Sequence, residues 1–254
     1  MKIKNIKLDV FEWKGTPWKT NYRNIFGQNV NLSVLSIETD EGITGNSFLG
    51  SSKVGSEHHN KNIINFAKTF LIGENPQNIG KIWNHLWKMN RSLSLNSIAS
   101  IDIALWDING KITNQPIHKL LGSYKEKVPV YSSTPFHKDI KDYVDEARFF
   151  KNKGWTAHKI HPHGNPYKDV EICIAVREEV GEDMNLMLDS MCAYDYENAL
   201  MVGKAIQKLN FYWYEDPLVE EDIYNYKKLN EKLDIPIVST EFIPGRQIGR
   251  ASCR

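Results

Sequence analysis

Three carboxylates stand at equal intervals late in the chain. Leu186-Met187-Leu188-Asp189, Tyr212-Trp213-Tyr214-Glu215 and Ile237-Val238-Ser239-Thr240-Glu241 are short apolar segments that each end in an acid, and the acids are spaced 26 residues apart. That period, with a helical pattern between successive acids, is what repeated strand–helix units give. Parallel strands joined in this way are covered on both faces and read as apolar runs. Each acid is then expected at the same height, at the carboxyl end of its strand, where barrel enzymes build their sites. Three converging carboxylates repel one another unless a cation lies among them, and an all-oxygen donor set suits magnesium better than zinc. Asp189, Glu215 and Glu241 are therefore candidate metal ligands. A single acid of this kind ordinarily caps the helix that follows it, so the reading rests on all three together.

One unit earlier, Ala157-His158-Lys159-Ile160-His161-Pro162 reads as a further strand. Side chains alternate along a strand, so Lys159 and His161 share one face while His158 and Ile160 take the other. If the first face is the barrel interior, an ammonium and an imidazole lie beside the acids as candidates for proton transfer. Lys159 is also readable as an ion-pair partner of one acid. His158 and His163 read as packing or loop residues.

These residues need a scaffold, and 254 residues with 41% hydrophobic content are enough for one large or two ordinary domains. A net charge of +1 gives no field that would draw nucleic acid or an anionic membrane. Met1-Lys2-Ile3-Lys4 opens a strand-like alternation instead of an apolar leader, and no run approaches the ~18 apolar residues of a membrane span, so the cytoplasm is the expected location. Cys173, Cys192 and Cys253 are too widely spaced for a disulfide framework or a thiolate site. Cys173 reads as core filler and Cys192 as a small packing residue.

The first part of the chain reads as a separate α+β unit. Strands are expected over Lys2–Trp13, Asn29–Thr39 and Ile43–Phe48, with Asp40-Glu41-Gly42 as a turn, and a polar, aromatic loop over Lys14–Gln28. That loop holds Trp18 and Arg23, the candidate substrate contacts, because loops of this kind are where specificity is placed. Helices are expected over Ser56–Leu71, Gln77–Met89 and Ser97–Lys111. In the last, Ile98, Ile101, Leu105 and Ile108 fall at helical spacing, and Asp102 and Asp107 read as structural acids.

From Val128 strands and helices alternate: strands at Val128–Ser132, Ala157, Leu186, Tyr212 and Ile237, helices near 140–153, 170–180, 196–209 and 223–233. A doubly wound sheet has the same alternation, but no Gly-rich phosphate loop follows an early strand, and the aligned acids favour a barrel. The fold class is thus α/β: an α+β domain over 1–125, then a (β/α)8-type barrel domain over 126–254 of which about five strands are present. A full barrel takes about 250 residues. The segment after Glu241 has neither strand nor helix periodicity, so the last three units are absent, and unpaired strand edges predict that this polypeptide alone is poorly soluble or inactive.

Taken together, Thr39-Asp40-Glu41-Gly42-Ile43-Thr44-Gly45, Ser100-Ile101-Asp102-Ile103-Ala104-Leu105-Trp106-Asp107, Tyr214-Glu215-Asp216-Pro217 and the barrel strands resemble the enolase superfamily, in the branch of mandelate racemase and the acid-sugar dehydratases. The resemblance implies a TIM barrel carrying Mg2+ on Asp189, Glu215 and Glu241, a small-molecule carboxylate substrate, and a homo-oligomer for the full-length protein. A glutamate as third ligand is more similar to this branch than to the muconate lactonising one. Two departures stand out. Many relatives carry Lys-x-Lys where this chain has Lys159 and His161, and some carry asparagine where it has Met191. By resemblance His161 inherits the position of the base, with Lys159 or His161 left open as the group that does the work. The implied chemistry removes the proton α to a carboxylate, most naturally to dehydrate a sugar acid to a 2-keto-3-deoxy acid. Racemisation or epimerisation of a 2-hydroxy acid, or a noncatalytic remnant, are the alternatives.

Overall fold

The computed structural model describes residues 1–14, 18–19, 24–25, 29–49, 57–133, 136–241 and 243, with 18–19, 24–25, 29–30 and 57–59 described by their backbone alone. The chain divides into two compact units, Met1–Lys19 with Asn24–Lys127 and Thr20–Arg23 with Val128–Arg254.

In the first unit β1 (Ile3–Lys14) pairs antiparallel with β4 (Asn29–Thr39), which pairs antiparallel with β5 (Thr44–Leu49). The stretch expected as a plain loop contains instead a short antiparallel ribbon, β2 (Trp18–Lys19) on β3 (Asn24–Ile25). Helix α1 (Glu57–Asn62) runs through a π-helical turn (Ile63–Ala67) into α2 (Lys68–Leu71), followed by α3 (Ile79–Lys88), α4 (Leu95–Thr113) and α5 (Ile117–Leu120). Ile98, Ile101, Leu105 and Ile108 of α4 are all buried, as their spacing requires. Ser94 caps the helix by accepting the Ser97 N–H at 3.2 Å, and Asn114 closes it in the left-handed region at φ 51°. The glycine of Ile43-Thr44-Gly45 has a packing reason: a Cβ on Gly45 would stand 2.1 Å from the Ala104 carbonyl oxygen. Asp107 of α4 accepts the Asn46 N–H at 2.8 Å and pairs with Lys111 at 2.7 Å, a structural role.

The second unit is a parallel sheet whose spatial order follows the sequence: β6 (Ser132–Ser133), β7 (Ala157–Ile160), β8 (Asn185–Asp189), β9 (Trp213–Glu215) and β10 (Ile237–Val238). Between them run α6 (Ile140–Asn152), α7 (Pro166–Val180), α8 (Tyr196–Lys208) and α9 (Ile223–Lys232). Five parallel strands joined by helices are part of a barrel. The strand expected at Val128–Ser132 is confined to its end, where Ser132 and Ser133 pair with β7, and Val128 and Val130 remain 70% and 67% exposed. Helices α7, α8 and α9 each start on an Asx cap, Asn165, Asp195 and Asp222, whose side chain accepts the N–H three residues on. Pro166 at the first position of α7 adds a pre-set φ.

Register explains how the site is assembled. Ser133, Lys159, Met187 and Trp213 are neighbours across the sheet in one layer, and Asp189, Glu215 and Val238 in the next. The opposite face of the strands, Ile160, Leu186, Leu188 and Tyr214, is fully buried in a core with α6 to α9. Truncating one of these leucines to alanine would cost about 2–5 kcal/mol, so the face of the sheet turned towards the helices is the one that holds the unit together.

Candidate metal centre

Asp189, Glu215 and Glu241 converge: one carboxylate oxygen from each lies within 4.8 Å of the others. The expected common height holds for two of them. Asp189 and Glu215 are register partners, whereas Val238 is the register partner of Glu215, so Glu241 stands three residues beyond that layer. Equal spacing in sequence conceals an earlier arrival of β10, which reaches that layer at Val238. Ser239 and Thr240 carry the chain past the sheet, and the third acid approaches from a loop. Burial follows position, with Asp189 buried, Glu215 half-buried and Glu241 exposed.

Lys159 and His161 face the acids, as strand alternation requires. The Lys159 ammonium donates to Asp189 Oδ2 at 2.9 Å and to Glu215 Oε1 at 3.0 Å, and His161 Nε2 lies 3.0 Å from the same Asp189 oxygen. Burial works against a charge on Lys159, but Asp189 and Glu215 outweigh it and hold its pKa above the ordinary lysine value. Burial likewise opposes ionisation of Asp189, and the contacts from His161 and Lys159 outweigh it, leaving the carboxyl below its usual range. The Lys159 ammonium also lies 5.6 Å from the centre of the Tyr131 ring, a cation–π distance. On the other face, His158 is fully buried, bonded through Nδ1 to Ser132 Oγ at 2.8 Å and pushed down to about 4 chiefly by burial. It is a packing residue.

The loops above the strands are tied to one another by polar groups. The Tyr143 hydroxyl donates to the His161 carbonyl at 2.9 Å and accepts the His137 N–H at 3.1 Å. Asp169, buried on α7, accepts the His163 N–H at 3.1 Å and the Tyr194 hydroxyl at 2.6 Å, joining the loops after β7 and β8. Asp216 accepts the Thr240 N–H at 3.1 Å and so fixes the loop that delivers Glu241. Seven non-glycine residues have positive φ among the described residues, and four of them flank the acids: Met191 (51°), Cys192 (61°), Asp216 (40°) and Thr240 (92°). For a β-branched residue such as Thr240 this is a sterically costly conformation, held only where the surroundings dictate it, and such residues gather at functional sites. Burial raises the Cys192 thiol to about 12, which removes it as a nucleophile. Trp18, as a side chain, and Arg23 lie outside the described residues. A cavity of about 410 Å³ opens beside the acids, lined by Tyr131, Trp213, Val238 and Thr240 together with Glu215 and Glu241.

The donor set fits a hard divalent cation. In an octahedral magnesium site adjacent oxygens stand about 2.9 Å apart and opposed ones about 4.2 Å, so oxygens within 4.8 Å of one another are near enough to be drawn onto one ion by small side-chain movements. No cysteine lies in the cluster, and the Lys159 ammonium in contact with two of its acids offsets one of its three formal negative charges.

Comparisons with known proteins agree with this geometry. Residues 6–122 match the mandelate racemase / muconate lactonizing enzyme N-terminal domain family and residues 142–250 the enolase C-terminal domain-like family. The chain is 30% identical over 257 positions to a D-galactarolactone cycloisomerase of Agrobacterium fabrum, covering 97% of this chain and 66% of that one. It is 33% identical over 218 positions to an N-succinyl-L-Arg/Lys racemase of Bacillus cereus, covering 82% of this chain and 58% of that one. The chain thus spans about three fifths of the length of the curated relatives it matches. Among solved structures, a D-glucarate dehydratase from Agrobacterium tumefaciens complexed with magnesium superposes with a TM-score of 0.84 at 30% identity, over 99% of this chain and 70% of that one. With both of its units matched, and with a dehydratase, a cycloisomerase and a racemase among its relatives, the chain belongs to the enolase superfamily, in the mandelate racemase and acid-sugar dehydratase branch.

Proposed function

We propose that the chain belongs to an Mg2+-dependent enzyme that removes the proton α to the carboxylate of a sugar acid and eliminates a β-hydroxyl, giving a 2-keto-3-deoxy acid. The observation that carries this reading is Asp189 Oδ2, where a lysine and a histidine meet on a carboxylate of a three-acid cluster. Asp189, Glu215 and Glu241 would hold the cation, which when bound supplies charge neutralisation for a substrate carboxylate as its α-proton leaves. Lys159 acts as a fixed positive charge, since its ammonium is committed to two carboxylates. His161 takes the α-proton: it stands at the height of the ligand layer, and the Tyr143 bond to its carbonyl fixes its backbone. The magnesium-bound dehydratase relative supports both the metal and the reaction class.

A second reading, racemisation or epimerisation, is supported by the 33% identity to a racemase. It differs only in the fate of the carbanion, which regains a proton on the other face. Incubation with Mg2+ and a panel of aldonic and aldaric acids in deuterated water separates the two. Loss of the α-proton signal with a 2-keto-3-deoxy acid product supports dehydration, and exchange with epimer formation supports the second reading. His161→Asn should slow the exchange by about 100-fold or more. An absence of exchange with any acid, while Mg2+ still binds, would favour a noncatalytic role.

A further inference from the structure

The loop ties described above position the acids through the backbone, but one carboxylate is also oriented through its side chain. Trp213 and Glu215 are two residues apart on β9 and therefore point the same way from the sheet. The Trp213 indole Nε1–H donates to Glu215 Oε2 at 2.9 Å. The other oxygen, Oε1, takes the Lys159 ammonium at 3.0 Å, and that same ammonium lies 2.9 Å from Asp189 Oδ2. Asp189 Oδ2 and Glu215 Oε1 therefore converge on one cation, and Trp213 holds the oxygen of Glu215 that this cation does not.

We propose that Trp213 is a positioning residue: its indole N–H occupies one oxygen of Glu215 and thereby presents the other to the cation. This rests on the reading of Asp189, Glu215 and Glu241 as ligands. A glutamate has three rotatable bonds, and a half-buried one samples several rotamers unless something holds it. An indole is suited to the task because it offers a single donor and no acceptor, so it cannot compete as a ligand. The indole itself is held. Its ring meets the Tyr131 ring edge to face, with centroids 5.4 Å apart at 81°, and Tyr131 in turn lies under the Lys159 ammonium at 5.6 Å. Tyr131 and Trp213 thus form an aromatic floor that fixes one ligand by a hydrogen bond and supports the neighbouring cation by its π-face. A hydrogen bond to a ligating carboxylate also preserves its charge, and removing such a partner typically weakens metal binding by 10–100-fold.

The test is calorimetric titration of the chain and of Trp213→Phe with Mg2+, alongside two-dimensional NMR of the tryptophan indole N–H groups. Phenylalanine keeps the floor and deletes only the donor. The expected result is binding to the wild type and a dissociation constant raised about tenfold or more in Trp213→Phe, with the circular dichroism spectrum unchanged. In the wild type, the indole resonance that disappears in Trp213→Phe should move on Mg2+ addition more than those of the other tryptophans, a result that does not depend on how the variant folds. Equal affinity of the two proteins, or an indole signal indifferent to Mg2+ that binds, would overturn the positioning role and leave the ligand assignment standing. A wild type that binds no Mg2+ would overturn both.

Discussion

Lys159 and Asp189 show how the site balances its charge. Asp189 is fully buried, and Lys159 is its cationic partner at 2.9 Å. A buried carboxylate left without its partner is penalised by several kcal/mol, because desolvation is no longer compensated. Lys159→Met should therefore lower unfolding stability in the absence of metal by about 3 kcal/mol, measured by urea denaturation. Mg2+ should restore much of the loss, so the variant's melting temperature rises more on Mg2+ addition than the wild type's. Unchanged stability without metal would show that the pair is incidental. At this scale the sequence was informative where alternation applies: Lys159 with His161, and Asp189 with Glu215. Trp213 was legible by the same rule, two residues before Glu215, but a tryptophan in an apolar run reads as core. Tyr143 and Asp169 were not legible, since their partners, the His161 carbonyl, the His137 and His163 N–H groups and the Tyr194 hydroxyl, lie on loops that only the fold brings beside them.

Among the elements, the two ends of the sheet divide their tasks. At the amino ends of the strands Arg177 of α7, 5% exposed, donates to four carbonyl oxygens: Gly181 at 2.6 Å, Leu209 at 2.8 Å, Met184 at 2.9 Å and Asn210 at 3.0 Å. This ties the turns before β8 and β9 and serves stability, whereas the candidate ligands gather at the carboxyl ends. Arg177→Met leaves those carbonyls without their donor at a cost of about 3 kcal/mol or more. Chemical denaturation should show the loss while the Mg2+ dissociation constant stays within about twofold, because nothing at the acid cluster is touched. A large change in affinity would mean that the two ends are coupled. From sequence, Arg177 was indistinguishable from the solvated face of a helix. The alternation of strands and helices, by contrast, was legible throughout, because periods of 2 and 3.6 are set by local geometry. The ends of elements were not: β6 and β10 shrink to two residues each, where pairing and burial, not propensity, decide.

Across the whole molecule, two buried titratable groups act in opposite directions on stability. Burial raises Asp169 from 3.8 to about 6, against the bonds from Tyr194 and His163, so the folded state prefers it protonated and its contribution falls as pH rises through that window. Burial lowers His158 from 6.5 to about 4, so the folded state prefers it neutral, and its contribution is present above 6.5 and lost as pH falls towards 4. Each shift corresponds to about 3 kcal/mol. The wild type minus Asp169→Asn difference in unfolding free energy should therefore decrease from pH 4 to 6.5, and the wild type minus His158→Gln difference should increase. Differences that run flat across this range, by urea titration at several pH values, would contradict both. Among the described residues no helix is long and apolar enough to cross a membrane.

The proposed activity depends on three carboxylates gripping one ion, two from neighbouring strands and one from a strained loop. An anomalous difference map from a crystal soaked in Mn2+, a hard cation that takes the same ligands, tests this directly. The predicted result is one peak in contact with an oxygen of each of Asp189, Glu215 and Glu241, at about 2.2 Å. A map with no peak among the three acids, or with the ion held elsewhere on the protein, would contradict it.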